Sequence, residues 1–309
     1  MLSDQFLDGD SNSQPRLRPA GVLTRCMPTT NNIEGLETTR TAGWGDAVAN
    51  GSMTLHLPER LAWPWRRLRL PHFLGLGTQK GGTTSLQNLL ERHPGVFLPA
   101  CKEVHYFSQH ADKPTSWYAY HYRDSLRGQL RGDITPFYLF HPDAAARIRA
   151  LLPRAKMIVL LRDPVERALS QVFHARRHGF EMLEVTDALA AEPERIASGE
   201  AYSFQKHSYV SRSRYLEQLD RYEALFPKEQ LLVLKSEDLF ARTENVWKQI
   251  QHFLKLRPIP LPIPLPRSNA GSGEAADVAH EVRANLREML STTVSGVKQR
   301  YGIDWGWGT

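Results

Sequence analysis

The chain has 309 residues, of which 41% are hydrophobic and 23% charged, and its formal net charge at pH 7 is +6. This length allows one large globular domain or two smaller ones. The positive charge is compatible with an anionic small molecule, an acidic glycan or nucleic acid, so charge alone selects none of them. Neither the histidines nor the two cysteines have metal-ligand spacing, and we therefore predict that the protein holds no metal.

Residues 1–53 are polar and lack a sustained apolar period, which predicts a disordered or loosely attached segment. No secretory signal is present and no apolar run is long enough to span a bilayer, so we expect a cytoplasmic location. Residues 54–72 form a basic and aromatic arm that Pro58 and Pro64 interrupt. We expect its aromatic side chains to pack on the following domain, residues 73–309, while its arginines stay in water; a membrane-surface or acidic-partner segment is the alternative.

The most informative stretch is PHFLGLGTQKGGTTS, residues 71–85. A short apolar run passes through Gly75 and Gly77 into a glycine-rich loop and then into a predicted helix. Such a loop lets backbone N–H groups converge on an anion, and Lys80 adds a positive charge. The stretch therefore predicts a phosphate-binding loop between a strand and a helix.

This loop differs from both common nucleotide-binding motifs. A Walker A loop has a lysine directly after its last glycine, whereas here Gly82 is followed by Thr83 and the lysine comes two residues earlier. A dinucleotide-binding loop has a glycine where Lys80 stands. For this stretch taken alone, a glycine-rich turn without a ligand is the alternative interpretation.

A second informative stretch, CKEVHYF, follows the next predicted strand, residues 96–98. It places Glu103 and His105 just beyond the strand end. In an open α/β sheet the ligand lies outside the carboxyl ends of the strands, so both side chains are candidate general bases. A surface ion pair between Lys102 and Glu103 is the alternative.

The third informative stretch is KMIVLLRDPVERALS, residues 156–170. Its continuous apolar run predicts a central parallel strand that is buried on both faces. Asp163 then has the position of a helix N-cap, the proline after it is the first helical residue, and Glu166 has the position of a capping-box partner. Arg162 is thereby held at the strand end, with Ser170 further along the helix, which predicts a second phosphate contact.

The rest of the chain is predicted to support the site and to select the acceptor. Phe137 and Phe140 are assigned to the core, while Tyr138 could either belong to the core or line a substrate groove. A helical region from Phe180 to Phe204 is expected over the mouth of the site. Candidate acceptor contacts there and just beyond are Tyr202, Lys206, His207 and Arg212. Further helices are expected over residues 215–226, 243–254 and 278–289.

The three informative stretches, in this order, resemble the successive motifs of the PAPS-dependent sulfotransferases, and most closely those of the heparan sulfate sulfotransferases and their bacterial relatives. The resemblance extends from about Phe73 to Leu254. It implies an α/β protein with a three-layer, P-loop-like fold, in which helices flank a central parallel sheet. It also implies that the co-substrate is 3′-phosphoadenylyl sulfate (PAPS).

The resemblance further implies roles for single residues. In that family the lysine, glycines and hydroxyls of the first loop bind the 5′-phosphosulfate of PAPS, which here assigns Lys80, Gly81, Gly82, Thr83, Thr84 and Ser85. The arginine and serine of the third motif bind the 3′-phosphate, which assigns Arg162 and Ser170. The glutamate of the second motif acts as base, which assigns Glu103, with His105 able to share or replace it. In the late loop that closes over the 3′-phosphate in the family, this chain has one basic residue, Arg267.

We therefore predict a sulfotransferase that moves a sulfo group from PAPS to a hydroxyl or amine of a carbohydrate or glycan-like acceptor, without a nucleic-acid partner. Such transfer requires in-line positioning, a cation near the leaving phosphate and a base for the acceptor proton. A P-loop kinase or NTPase is one alternative, although the lysine it requires after Gly82 is absent. A non-catalytic binder of acidic glycan or nucleic acid, which would use the basic arm, is the other.

Overall fold

The computed structural model describes residues 68–261 and 277–307. Within these residues a five-stranded parallel sheet forms the centre of the molecule. Its strands are β1 (Phe73–Gly75), β2 (Val96–Phe97), β3 (Leu130–Ile134), β4 (Lys156–Leu161) and β5 (Leu231–Lys235). They lie in the order β2-β3-β1-β4-β5, so β3 and β4 flank β1 on opposite sides. Open α/β sheets bind ligands at such a switch point, outside the carboxyl ends of the strands.

Helices cover both faces of this sheet. They are α1 (Thr83–Glu91), α2 (Thr115–Tyr120), α3 (Phe137–Phe140), α4 (Ala144–Leu151), α5 (Pro164–Arg177), α6 (Val185–Ala197), α7 (Ala201–Lys206), α8 (Tyr215–Glu223), α9 (Ser236–Ala241), α10 (Thr243–Leu254) and α11 (His280–Tyr301). Alternate side chains of β4 enter different cores. Met157, Val159 and Leu161 pack with α4, α8 and α11, whereas Ile158 and Leu160 pack with α1 and α10. The predicted three-layer α/β fold with a central parallel sheet is confirmed.

Helix α11 is longer than the sequence predicted. The expected helix ended at residue 289, but α11 continues to Tyr301 and passes through Gly296. A Cβ atom on Gly296 would lie 2.4 Å from Cδ1 of Leu216 in α8. Glycine therefore serves close packing of two helices here, which is why it does not end the helix.

The start of α5 confirms one part of the predicted capping pattern and corrects another. Asp163 caps the helix, since its Oδ1 accepts hydrogen bonds from the N–H groups of Val165 and Glu166 at 2.9 and 3.0 Å. The capping box with Glu166 is wrong, because the Glu166 carboxylate pairs with Arg283 of α11. Glu237 takes that place instead and accepts the Asp163 N–H at 3.0 Å.

The predicted amino-terminal segment, residues 1–53, and most of the arm lie outside the described residues. Arg69, near the end of the arm, donates a hydrogen bond from Nη1 to the carbonyl of Arg123 at 2.9 Å, so this arginine contacts the main domain. No helix in the described ranges is both long and apolar enough to cross a membrane. The domain boundaries and the location in the cell stay predictions.

Candidate active site

The predicted phosphate loop lies at the carboxyl edge of the sheet, between β1 and α1. After β1 the backbone continues beside β4, and the Thr78 N–H donates to the Leu160 carbonyl at 2.8 Å. The turn that follows requires glycine at two positions. A Cβ on Gly81 would lie 2.4 Å from Oγ1 of Thr78, and Gly82 has a φ of +87°. The glycines read from the sequence therefore serve to close a tight loop just before α1.

Lys80 and Arg162 meet at this edge of the sheet. Nη1 of Arg162 donates a hydrogen bond to the Lys80 carbonyl oxygen at 3.2 Å. Burial, helped by the positive charges of Arg177, Arg162 and Lys102, lowers the pKa of the Lys80 amine to about 8. The two predicted phosphate-binding elements thus lie in one place, and their mutual repulsion favours a bound anion.

The three hydroxyl residues of the loop begin α1. Nζ of Lys102 donates a hydrogen bond to Oγ1 of Thr84 at 2.6 Å. Thr83 and Ser85 are buried, and Oγ of Ser85 has no hydrogen-bond partner within the described ranges. A buried hydroxyl without a partner, in the first turn of a helix and next to a lysine-bearing loop, fits an anionic oxygen.

Glu103 and His105 form the second part of the site. Nε2 of His105 lies 3.4 Å from Oε2 of Glu103, and Nδ1 of His105 lies 3.1 Å from Oγ of Ser108. Burial raises the pKa of Glu103, but the hydrogen bond and charge of His105, together with Lys102 and Arg212, outweigh it and hold the pKa below its usual value. Glu103 is therefore a carboxylate at neutral pH, the form that a general base requires.

Backbone strain marks the same residues. Lys80, Glu103 and His105 have φ values of +69°, +60° and +57°. Lys255, which ends α10, is the fourth non-glycine residue with positive φ in the described part of the chain. Side chains other than glycine adopt this conformation at a cost, and such residues cluster at functional sites. The three candidate catalytic residues of the sequence are thus the strained ones.

Two further residues were predicted to contact the 3′-phosphate, Ser170 and Arg267, and the structure describes only the first of them. Ser170 is partly exposed on α5, in the same strand-to-helix unit as Arg162. Arg267 lies outside the described residues. A residue that the sequence did not single out, Arg167, is fully buried and donates from Nε to Oγ of Ser213 at 2.6 Å, so it supports the fold around α5.

A cleft of about 150 Å³ opens beside Glu103 and His105. Of the predicted acceptor contacts, Lys206 and Arg212 line it. The other two do not: His207 is buried with Nε2 2.9 Å from the Phe180 carbonyl, and half of Tyr202 is exposed. Glu103, His105 and two cations therefore line the same cleft.

Arg212 connects the cleft wall to the phosphate loop. Its Nη1 donates to Oε1 of Gln79, and its Nη2 donates to the Gln205 carbonyl at 2.5 Å. Its guanidinium carbon lies 4.7 Å from the ring centre of Phe137, which lines the cleft and is not only a core residue. Tyr138, left open above, is the core residue: it is buried and donates to Asp133 Oδ2 at 2.9 Å.

Sequence reasoning missed the cleft-lining face of α5. Gln171, His174 and Ala175 line the cleft and lie three and four residues apart, the spacing of one helix face. Burial and the positive charge of Lys80, with smaller contributions from His178 and its neighbours, lower the pKa of His174 to about 4. His174 is therefore neutral at pH 7. Extending the helical period from the capped start of α5 is the signal that could have found these residues.

Metal ligands are not grouped in residues 68–261 and 277–307: no set of three or more His, Cys, Asp or Glu side chains there is arranged to hold an ion. A reaction without a metal stays a prediction.

The site thus defines an α/β protein in which the predicted phosphate loop contacts a strand-end arginine, and a carboxylate–histidine pair lies beside Lys102, which contacts the same loop. The model of the sulfotransferase domain family matches residues 70–261, and the chain belongs to this family.

Several curated relatives of the chain are likewise described as sulfotransferases. The chain is 28% identical over 270 residues to the membrane-associated sulfotransferase kil1 of Dictyostelium discoideum, which covers 62% of this chain and 57% of that protein. It is 27% identical over 299 residues to the heparan sulfate glucosamine 3-O-sulfotransferase 3A1 of Mus musculus, in a match that covers 86% of this chain and 71% of that protein. It is 30% identical to the heparan sulfate glucosamine 3-O-sulfotransferase 3A1 of Homo sapiens, in a match that covers 71% of this chain and 52% of that protein. The chain spans between about half and seven tenths of the length of these relatives.

A solved structure is similar as well. The crystal structure of a sulfotransferase from Alicyclobacillus acidocaldarius matches 73% of this chain and 96% of its own, with 28% identity and a TM-score of 0.58.

Proposed function

We propose that this protein is a sulfotransferase that moves a sulfo group from PAPS to a hydroxyl or amine of a carbohydrate acceptor. The observation that supports this most is the hydrogen bond of Arg162 to the Lys80 carbonyl, with Glu103 and His105 lining the adjoining cleft. Membership of the sulfotransferase family supports it against a kinase or NTPase. A non-catalytic binder would not need a strained Glu103 with a lowered pKa beside the loop.

In this proposal the donor end of the site holds two separate phosphate groups. The phosphate loop, from Lys80 to Ser85, would hold the 5′-phosphosulfate with backbone N–H groups, hydroxyls and one lysine. Arg162, together with Ser170, would hold the 3′-phosphate. The buried Ser85 hydroxyl, which has no hydrogen-bond partner in the described part of the chain, and the repelling cations around Lys80 fit such a bis-anionic ligand. PAPS itself supplies a sulfo group that is already attached to a phosphate leaving group.

The acceptor end suits a polar, hydroxyl-rich molecule. The cleft carries the amides of Gln79, Gln171 and Gln205, the cation of Lys206 and the aromatic wall of Phe137. Amides and charged groups bind hydroxyls, and an aromatic face suits the apolar face of a sugar ring. Two of the similar proteins are described as heparan sulfate glucosamine 3-O-sulfotransferases, which supports a carbohydrate over a lipid or phenol.

A melting-shift titration followed by acceptor profiling tests this proposal. We expect adenosine 3′,5′-bisphosphate to raise the melting temperature without Mg²⁺, because a ligand that binds only the folded state stabilises it. With PAPS present, mass spectrometry of a panel of amine- and hydroxyl-bearing saccharides should then detect the gain of one sulfo group. A shift with ATP and Mg²⁺ but none with adenosine 3′,5′-bisphosphate would favour the kinase alternative.

The lowered pKa of Lys80 predicts how binding of adenosine 3′,5′-bisphosphate depends on pH. Only the protonated amine attracts the anion, and without ligand it loses its proton as the pH rises through about 8. Binding should therefore weaken about tenfold from pH 7 to pH 9, by the linkage of one ionisation to binding. A Lys80→Arg variant should lose this slope, because guanidinium stays charged over the whole range. Equal slopes for both proteins, measured by calorimetry, would assign the titration to another group.

A further inference from the structure

The last described residues return to the start of α5. After α11 the carboxyl-terminal tail, residues 302–307, places two indole rings against two carboxylates. Nε1 of Trp307 donates to Oδ2 of Asp163 at 2.7 Å, and Nε1 of Trp305 donates to Oε2 of Glu237 at 3.1 Å. The tail is anchored on the way by Asp304, which forms an ion pair with Lys298 at 2.8 Å.

These indoles complete the hydrogen bonding of both carboxylates. Oδ1 of Asp163 caps α5, and Oε1 of Glu237 accepts the Asp163 N–H. Oδ2 of Asp163 and Oε2 of Glu237 accept the indole N–H groups. Every oxygen of the two carboxylates therefore has a donor that holds it in a fixed direction.

Arg162 directly precedes Asp163, so its guanidinium is a candidate partner for that carboxylate. Within the described ranges the Arg162 guanidinium makes one hydrogen bond, to the Lys80 carbonyl, and no ion pair. Its backbone carbonyl accepts a hydrogen bond from the Tyr215 hydroxyl at 2.8 Å, which fixes the strand end. Among the described residues, Arg162 therefore has no carboxylate partner, although Asp163 is next to it in the chain.

We propose that Trp305 and Trp307 are positioning residues for donor binding. By holding Asp163 and Glu237 away from Arg162, the tail keeps the guanidinium available to the 3′-phosphate of PAPS. The inference rests on the proposed function, since it needs Arg162 to bind that phosphate. Without the Trp307 donor, Oδ2 of Asp163 would lack a partner and would turn to the neighbouring guanidinium, in competition with the ligand.

The test compares two nucleotides that differ only in the 3′-phosphate. Calorimetry of the full chain measures binding of adenosine 3′,5′-bisphosphate and of adenosine 5′-phosphate. Trp307→Phe keeps the ring and removes the donor, and it should weaken the bisphosphate about fivefold, the size of a partly exposed ion pair. Adenosine 5′-phosphate should bind unchanged. Tyr301→Phe is the matched control, because it removes a hydrogen bond to Glu223 in the same part of the chain and should alter neither.

A second substitution tests the competing charge itself. Asparagine at position 163 can still cap α5 through its side-chain oxygen but carries no charge. In the Trp307→Phe background, Asp163→Asn should therefore restore bisphosphate affinity to within about twofold of wild type. Equal weakening of both nucleotides by Trp307→Phe, or no weakening at all, would refute the role of the tail. If wild type binds adenosine 3′,5′-bisphosphate no more tightly than adenosine 5′-phosphate, the proposed function itself is refuted. That result differs from a failure of the tail's role, in which wild type prefers the bisphosphate but Trp307→Phe does not change this preference.

Discussion

Glu103→Gln should lower the rate of sulfo transfer about a thousandfold, the usual size of general-base catalysis, while the affinity for adenosine 3′,5′-bisphosphate stays unchanged. Glutamine keeps the shape of the side chain and can still contact His105, but it cannot take the acceptor proton. The lowered pKa of Glu103 means that wild type already has the basic form at neutral pH. The measurement is kcat with labelled PAPS and the best acceptor from the profiling experiment.

The matched control is Glu229→Gln, the same chemical change on an exposed residue before β5, at the opposite end of the strands. It should leave kcat as in wild type. His105→Asn, measured in parallel, separates the two candidate bases, because Nε2 of His105 lies only 3.4 Å from the Glu103 carboxylate. If Glu103→Gln keeps kcat within about tenfold of wild type and His105→Asn does not, the base is His105.

The arrangement of the proposed donor side could be predicted from the sequence because its determinants are local. The glycines before α1, the apolar run of β4 and the Asp163 cap each act on residues within a few positions in the chain. Parallel strands then bring their carboxyl ends to one edge without further information. Local determinants of this kind predicted that the Lys80 loop and Arg162 would meet.

The cleft of the proposed acceptor side depends on contacts between distant segments, and its lining was only partly predicted from the sequence. In the cleft wall Arg212 donates a hydrogen bond to Gln79 of the predicted phosphate loop, which lies 133 positions earlier in the chain. No local sequence pattern predicts a contact over that separation. Glu237 replaces Glu166 in capping α5 for the same reason, since Arg283 of α11 takes up the Glu166 carboxylate. Tertiary packing overrides local propensity at these positions.

The strained backbone offers a physical link between the two sides. Positive φ occurs at Lys80, Glu103 and His105, which belong to two separate loops that follow strands of the sheet. The surrounding core has to stabilise these conformations, because each is unfavourable by itself. In the proposed function, a site assembled in this way would bind its charged ligand at the expense of the stability of the free protein, as stability–activity trade-offs describe.

That trade-off predicts that replacing Lys80 lowers the catalytic rate but raises the melting temperature. Lys80→Met should lower kcat about a thousandfold, because the cation near the leaving phosphate is lost in a partly buried site. The same variant should melt about 2–4 °C higher than wild type without ligand, since it no longer holds a protonated amine among Arg162, Arg177 and Lys102. Calorimetry measures the melting temperature, and Lys228→Met, an exposed lysine at the other end of the strands, should change neither quantity.

The sign of the pH dependence follows from the pKa of Lys80. In the folded protein this pKa is about 8, below the ordinary lysine value of 10.5 that applies to the unfolded chain. The unfolded chain therefore binds more protons between these values, so wild type gains stability as the pH rises from 8 to 10.5. The advantage of Lys80→Met should accordingly be full below pH 8 and vanish above about 10.5. A Lys80→Met protein that melts lower than wild type at pH 7 would contradict the repulsive cation cluster on which donor binding is proposed to depend.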